Sequence, residues 1–180
     1  QFNFPQNIQL GIKYLIKAFE NGSNEAFIYY CNLLIKGKIV PKNHKKVLKL
    51  INKKYKEEEP IYMFVYGKLL REQKKYSESI QFFENASQKG HSESFYELGK
   101  IHLNIDKEKS FQYFQKAIQK NCIKAMYRYG SIILNKEGIQ LIKKAADKGY
   151  TKAIYKYYQL IEKNNNESNK YLQQAAIRGH

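Results

Sequence analysis

The sequence predicts an all-α fold, a right-handed α-α superhelix or solenoid of about five helix pairs plus a partial one. Three observations predict it. Four segments repeat one pattern, in which a small residue is followed four residues later by glycine or asparagine and, after four more, by another small residue. Between these segments apolar residues recur at the helical spacing of three and four. The prolines, which break helices, number only three and lie outside the predicted helices, at Pro5, Pro41 and Pro60.

The repeated segments define where helices end and the next ones begin. They run from Ala18 to Ala26, Ala86 to Ser94, Ala117 to Ala125 and Ala145 to Ala153. Their central residues are Gly22, Gly90, Asn121 and Gly149, and a last half-copy reaches Gly179. Glycine and asparagine enter the left-handed conformation cheaply, so we expect a helix stop at each of these positions. A weaker copy is formed by Lys54, Glu58 and Tyr62.

Within each pair, the first helix carries a mark five residues after the second small position. The marks are Cys31, Gly67, Gly99, Gly130 and Tyr158, separated by 36, 32, 31 and 28 residues. Apolar runs such as Ala26 to Ile35 predict first helices, and Ser79 to Ala86 and Lys109 to Ala117 predict second ones. Since glycine lets two helix backbones approach closely, a bulky residue at Gly99 or Gly130 should overpack the pair.

These junctions resemble Sel1-like repeats, relatives of the tetratricopeptide repeat. The closest likeness is Ala145 to Tyr157, and Tyr30 to Val40 resembles the turn between paired helices. The resemblance covers residues 7 to 180 and implies one solenoid domain over residues 1–180, with units at 7–22, 24–58, 60–90, 92–121, 123–149 and 151–179. It also implies a non-catalytic scaffold or adaptor for protein–protein interaction. Because Gln1 lies within a unit, we expect a piece of a longer chain, or a chain whose ends are covered.

By the same resemblance, an inner groove is lined by first-helix residues three before and one after each mark. Those three before are Ile28, Phe64, Tyr96, Tyr127 and Tyr155. Those one after are Asn32, Lys68, Lys100, Ser131 and Gln159, followed a turn later by Arg71 and Leu103.

This pattern predicts a basic, tyrosine-lined groove for an acidic protein segment. The residues expected to bind it are Asn32, Phe64, Lys68, Arg71, Tyr96, Lys100, Tyr127 and Tyr155. As the alternative, some of these tyrosines pack between neighbouring first helices. The carboxylate clamp of chaperone-binding tetratricopeptide domains does not carry over, because Ile28 and Phe64 stand where that clamp needs basic residues.

The formal net charge of +16 is the second informative feature. A helical projection predicts a basic face made by Lys45, Lys46, Lys49, Lys53 and Lys56, opposite Val47, Leu48, Ile51 and Tyr55. The face is either a solvated outer surface or an electrostatic dock for acidic protein tails, nucleic-acid phosphates or anionic lipid headgroups. The alternatives to a groove-binding scaffold are therefore a structural subunit docked by this face and a solenoid that binds nucleic acid non-specifically.

The sequence offers no catalytic, cofactor or metal-binding constellation, so we expect no enzyme activity and no cofactor. The histidines His44, His91, His102 and His180 are scattered, and Asp106 is expected to cap a helix. Cys31 and Cys122 lie about three repeats apart, too far for a disulfide, which favours the cytoplasm. Sequons at Asn21, Asn85 and Asn166 keep the endoplasmic reticulum lumen as the alternative. We find no apolar run of membrane-spanning length.

Overall fold

In a computed structural model of the protein, the structure describes residues 4–56, 58–161 and 166–177. These residues form eleven α-helices and no strand, which confirms the predicted all-α repeat fold. The helices are α1 (Phe4–Glu20), α2 (Asn24–Lys36), α3 (His44–Lys54), α4 (Pro60–Glu72), α5 (Tyr76–Gln88), α6 (Ser92–His102), α7 (Lys107–Gln119), α8 (Ile123–Ile133), α9 (Lys136–Asp147), α10 (Thr151–Leu160) and α11 (Asn166–Ile177). They divide into two compact units, Gln1–His91 and Ser92–His180.

In the first unit, α1 packs on α2, α2 and α3 form a pair, and α4 pairs with α5. The core between these helices contains Phe27, Val47, Ile51, Phe64 and Phe83, none of which is exposed to solvent. Removing this much apolar side chain from water is the main force that holds the helices together.

The second unit repeats the arrangement with α6–α7, α8–α9 and α10–α11. Its core lies between the helix pairs and is closed by Phe114, Ile142, Ile154 and Tyr171, each at most 1% exposed. Ala117, Ala145 and Ala153 also belong to this core, and none of them is exposed.

The four predicted stop residues all adopt the left-handed conformation, with φ of 99° at Gly22, 90° at Gly90, 59° at Asn121 and 81° at Gly149. Each turn closes with the same bond, from the backbone N–H that follows the stop residue to the carbonyl of the small residue four before it. In the junction after α7, for example, the N–H of Cys122 donates to Ala117 over 2.9 Å. This pair of features is the Schellman motif, so the prediction is confirmed at these four positions. The fifth, Gly179, lies outside the described residues.

The prediction that all prolines lie outside helices is wrong for two of them. Pro5 and Pro60 lie in the first turns of α1 and α4. Proline is tolerated there because the N–H that it lacks would have no partner within the helix.

Glycines bring the paired helices close together, as predicted. A Cβ atom added to Gly99 would lie 2.7 Å from the ring of Phe114, and one added to Gly130 would lie 2.5 Å from the backbone oxygen of Gly138. Both distances are shorter than real side chains allow, so these positions require glycine.

Lys54 fastens α1 to the α2–α3 pair. Its ammonium group donates a hydrogen bond of 3.1 Å to the carbonyl oxygen of Phe19 in the last turn of α1. The same nitrogen lies 5.6, 5.3 and 5.4 Å from the ring centroids of Phe19, Phe27 and Tyr55. A cation at the C-terminal end of a helix and against aromatic faces is favourable on both counts.

Candidate functional site

In the first unit, the predicted groove residues differ in exposure. Phe64 is fully buried, and its ring packs against Phe83 and His91 with centroid distances of 5.9 and 4.3 Å. Phe64 is thus a core residue whose side chain is closed to a partner, which corrects its place in the predicted binding set. Lys68 remains half-buried, and its ammonium lies 5.1 Å from the Phe64 ring centroid. Asn32 and Arg71 are half-buried as well.

In the second unit, Lys100 and Tyr96 repeat this arrangement on α6. The Lys100 ammonium lies 5.2 Å from the Tyr96 ring centroid and 2.8 Å from a carboxylate oxygen of Glu97. Burial raises the pKa of the Tyr96 hydroxyl, and the charge of Glu97 acts in the same direction. Because Glu97 is only 5% exposed, it holds Lys100 in place and offsets part of its charge.

The remaining two tyrosines of the predicted set are placed differently from each other. Tyr127 is half-buried, and its ring meets Tyr150 edge to face at a centroid distance of 5.4 Å. Tyr155, by contrast, is 44% exposed. Tyr127 therefore combines a packing contact with a partly exposed ring, whereas most of the contact with solvent in this pair is made by Tyr155.

A cavity of about 360 Å³ lies beside these tyrosines, at the helix junctions of the second unit. Its lining is Ser92, Glu93, Asn121, Cys122, Ile123, Lys124, Lys148, Gly149 and Tyr150. The ammonium of Lys124 lies 2.8 Å from a carboxylate oxygen of Glu93. Burial lowers the pKa of Lys124, but the charge and hydrogen bond of Glu93 outweigh it, so the net shift is upward.

The sequence interpretation missed this cavity, although a signal for it exists. Its lining residues sit just before and after the stop residues Asn121 and Gly149, or just after Gly90, so they occupy one repeated position of the junction.

The predicted basic face lies along the exposed side of α3 and continues into the residues that follow it. Lys45, Lys46, Lys49, Lys53 and Lys56 are all exposed. On the opposite side, Val47 and Ile51 have no exposed surface. This division between charge and core fixes the helix against the rest of the first unit.

Other side chains of chemical interest have structural partners. The backbone N–H of Lys109 donates to Asp106 over 2.9 Å, which confirms the predicted cap. Cys31 and Cys122 are buried free thiols, and burial raises the pKa of Cys31 to about 12. In the part of the chain that the structure describes, no group of three or more His, Cys, Asp or Glu side chains could hold a metal ion. Among the same residues, no helix has both the length and the apolar character needed to cross a membrane.

Comparison with known families places the chain in a repeat class. The Sel1 repeat profile matches residues 3–23, 62–91, 94–122, 125–150 and 153–180. The matches span most of the sequence, so the chain belongs to the Sel1 repeat family. Repeats of this kind generally mediate protein–protein interaction, and proteins built from them are typically non-catalytic scaffolds. Residues 24–61 are unmatched, yet α2 and α3 form a helix pair there.

Solved structures of this fold agree with that assignment. The chain is similar to a Sel1 repeat protein of Oxalobacter formigenes, with 18% identity, a TM-score of 0.66, and coverage of 95% of this chain and 80% of the other. A Pseudomonas aeruginosa protein gives 18% identity, a TM-score of 0.70, and coverage of 92% and 72%.

A third structure is a protective antigen of uropathogenic Escherichia coli with an SLR fold, for which the identity is 16% and the TM-score 0.62. The alignment covers 93% of this chain but only 41% of that longer protein. No curated protein matches the sequence.

Proposed function

We propose that the protein is a non-catalytic scaffold whose first helices bind an acidic segment of a partner protein. The proposed contacts are Asn32, Lys68, Arg71, Tyr96, Lys100, Tyr127 and Tyr155. One observation carries the proposal: Lys68 and Lys100 occupy the same position in two repeats, and each ammonium lies over an aromatic ring four residues earlier. A repeated cation at a repeated position suits a partner with regularly spaced carboxylates.

The rings fix the lysines and thereby lower the cost of ordering them when a partner binds. A lysine side chain loses much rotamer freedom on immobilisation, and Phe64 and Tyr96 have already restricted these two. One carboxylate of the partner would accept N–H bonds from Lys68, and another would share Lys100 with Glu97. Specificity for acidic segments follows, because a basic segment would meet two held ammonium groups.

We place this scaffold in the cytoplasm, with the endoplasmic reticulum lumen as the alternative. Both cysteines are free thiols, which suits a reducing compartment. Two of the three sequons carry their serine in the protein interior, since Ser87 and Ser168 are 6% and 2% exposed. Ser87 also donates a hydrogen bond of 2.8 Å to the carbonyl oxygen of Glu84. These serines suit a structural role, whereas the asparagines that would carry a glycan, Asn85 and Asn166, are exposed, so the alternative compartment is kept.

Charge reversal of the two lysines tests the proposal. An array of glutamate-rich peptides is probed with the protein and with its Lys68→Glu/Lys100→Glu variant, and the affinity of each bound peptide is then measured by fluorescence anisotropy. We expect the affinity of the variant to fall about 100-fold, since like charges then face each other. Lys68→Gln/Lys100→Gln, which adds no repulsion, should lose less.

A matched control separates the groove from net charge. Lys144→Glu/Lys152→Glu makes the same change in net charge at two exposed lysines of the second unit. Binding that survives in the control and fails in the groove variant supports the proposal. Equal losses in the two variants, with circular dichroism showing both folded, would mean that the groove lysines have no special role.

A further inference from the structure

The positive charge of the chain is concentrated in one helix–loop–helix segment. Residues 26–56 contain no aspartate or glutamate and carry nine lysines: Lys36, Lys38, Lys42, Lys45, Lys46, Lys49, Lys53, Lys54 and Lys56. This segment covers α2 from its third residue onward, the loop and α3, and it supplies nine of the sixteen net charges. A general bias towards lysine does not explain the complete lack of carboxylates, because lysines elsewhere are mixed with acidic residues.

Among the described residues, two of these lysines donate a hydrogen bond to an oxygen atom within the protein. Lys42 forms an ion pair of 2.8 Å with Glu72, and Lys54 is fixed on α1 by its hydrogen bond to Phe19. The other seven side chains are exposed, and none of them lies within ion-pairing distance of a carboxylate among the described residues. The basic face therefore carries charge that no carboxylate of the described residues neutralises, although the Lys46 ammonium lies 5.4 Å from the Tyr30 ring centroid.

The first two turns of the basic face work against the stability of α3. Lys45 and Lys46 lie in its first turn, which has no acidic residue, and the positive end of the helix dipole repels cations there. Lys49 stands one turn from Lys45 and from Lys53, so like charges adjoin along the face. The dipole favours Lys53 in the last turn, and Lys46 lies over the Tyr30 ring, but the repulsion between neighbouring lysines remains, and a bound anion would relieve it.

We propose that the basic face docks the protein on the surface of an anionic lipid bilayer. The face consists of the residues defined above, Lys45, Lys46, Lys49, Lys53 and Lys56. Lysine is the only charged residue type on the exposed side of α3. The apolar side of the helix, with Val47 and Ile51, is buried in the core. Docking is therefore peripheral, through headgroups, and the helix does not insert.

The chemistry of the face favours lipid over the two other polyanions. Protein interfaces concentrate their affinity in buried aromatic and arginine anchors, and the basic face has neither. Single-stranded nucleic acid is held by exposed rings on which bases stack, whereas Tyr30, the ring beneath Lys46, is only 3% exposed. Binding to a bilayer requires neither aromatic anchors nor stacking rings. Each lysine near an anionic leaflet contributes its own electrostatic binding energy, whatever its exact geometry.

One exposed apolar side chain lies close to the basic face in the sequence. Ile39 lies in the loop before α3, is 50% exposed, and has exposed lysines at Lys36 and Lys38 near it in the sequence. An exposed isoleucine among lysines is costly in water and suits the boundary between headgroups and acyl chains. The inference does not depend on the groove, which is formed by other residues.

Vesicle sedimentation tests the proposal with the whole chain. Phosphatidylcholine vesicles with and without phosphatidylserine are mixed with the protein, and the bound fraction is measured at low and at physiological salt. We expect binding only to the anionic vesicles and a loss as salt rises, since the Debye length falls to about 8 Å. Lys45→Gln/Lys49→Gln should weaken the partition about 30-fold, from roughly fivefold per lysine.

A matched variant separates the face from net charge. Lys136→Gln/Lys144→Gln removes two exposed lysines from α9 of the second unit. Its partition should stay within about twofold of the unmodified protein, and circular dichroism confirms that each variant is folded. An equal loss in this control would overturn the proposal, and so would binding that does not depend on phosphatidylserine.

Competitors identify the other two polyanions. A polyuridylate oligonucleotide or a polyglutamate peptide that binds more tightly than the anionic vesicles, and loses that binding in the Lys45→Gln/Lys49→Gln variant, would assign the face to nucleic acid or protein instead. Failure of this lipid test leaves the groove proposal unaffected, because the groove variants retain every lysine of the basic face.

Discussion

The hydroxyl of Ser110 donates a hydrogen bond of 2.7 Å to the backbone oxygen of Gly99, across the interface between the two helices of one repeat. Ser79 makes the same bond to Gly67 over 2.8 Å in another repeat. Both hydroxyls are completely buried. The glycine allows the two helices to approach, and the serine spans the remaining gap, so the two residues act as one closing element for the helix pair.

The first prediction concerns this bond. Ser110→Ala should lower the free energy of unfolding by about 1 to 2 kcal/mol, because a buried hydrogen bond is lost and no water replaces it. Urea denaturation measures the change. Ser77→Ala, at an exposed position of α5, is the control and should change stability by less than about 0.5 kcal/mol. A Ser110→Ala protein as stable as the control would show that the bond does not hold the pair together.

Glycine series provide the second prediction. Gly99→Ala should destabilise by about 1 to 3 kcal/mol through its clash with the Phe114 ring. Gly130→Ala should cost more, because its new methyl group meets the backbone oxygen of Gly138, which cannot rotate away. Gly11→Ala is the control: nothing lies within 4 Å of its added Cβ, and it should stabilise α1 by up to about 1 kcal/mol. The order of the three unfolding free energies in urea tests the geometry.

The third prediction uses Asn121, which is the one residue other than glycine among the four stop residues that the sequence predicted and the structure confirms. Asn121 has φ of 59°, so Asn121→Gly should leave stability unchanged or raise it slightly. Asn121→Ala should lower the unfolding free energy by about 1 kcal/mol, since alanine lacks the local hydrogen bonds that help asparagine adopt this conformation. Lys120, with φ of −89°, gives the control substitution to alanine. Equal stability of all the variants by thermal melting would exclude strain at the junction.

The fourth prediction is a pH dependence of α11. The hydrogen bond from Lys143, helped by one from Tyr157, lowers the pKa of the Glu167 carboxyl below its ordinary value of 4.5. A carboxyl with a lowered folded-state pKa contributes stability that is complete above the unfolded value and is lost as the pH falls through the folded value.

Glu167→Gln should therefore lose part of its stability relative to the unmodified protein near neutral pH, and the difference should shrink on acidification from about pH 5 to about pH 3. Melting temperatures at a series of pH values measure it. A constant difference between the two proteins over this range would contradict the ion pair. Glu108→Gln serves as the control, because Glu108 is exposed on α7 and takes part in no ion pair among the described residues.

Sequence reasoning predicted the helix junctions well because their physics is local. A Schellman turn needs a left-handed residue and one carbonyl a few residues earlier. Gly90 and Asn121 therefore predict such a turn from a short segment of sequence. Ser79 and Ser110 were not assigned a role, because their partners lie across a turn of variable length, 12 residues away in one repeat and 11 in the other. Counting back four residues from Phe83 and Phe114 would have aligned the two serines.

The site was less predictable than the fold because it depends on which neighbour each side chain meets. Phe64 occupies a position assigned to the groove, but its ring packs against Phe83 and His91 and is buried in the core. The pairing of Lys100 with Glu97 depends on burial of a carboxylate, which sequence spacing alone does not reveal. The acidic partner remains a prediction, because it too depends on which groups the side chains of the groove meet.

Lys54 should also differ from the other lysines of the first unit in its reactivity. Acylating reagents attack a free amine, and nearly every other lysine of the first unit presents one to solvent. The amine of Lys54 donates a hydrogen bond to the Phe19 carbonyl and lies against three rings, so its acylation should be slower than that of the exposed lysines and faster once α1 detaches. If acylation is followed by mass spectrometry, the labelling rate of Lys54 would therefore report how often α1 detaches from α2 and α3.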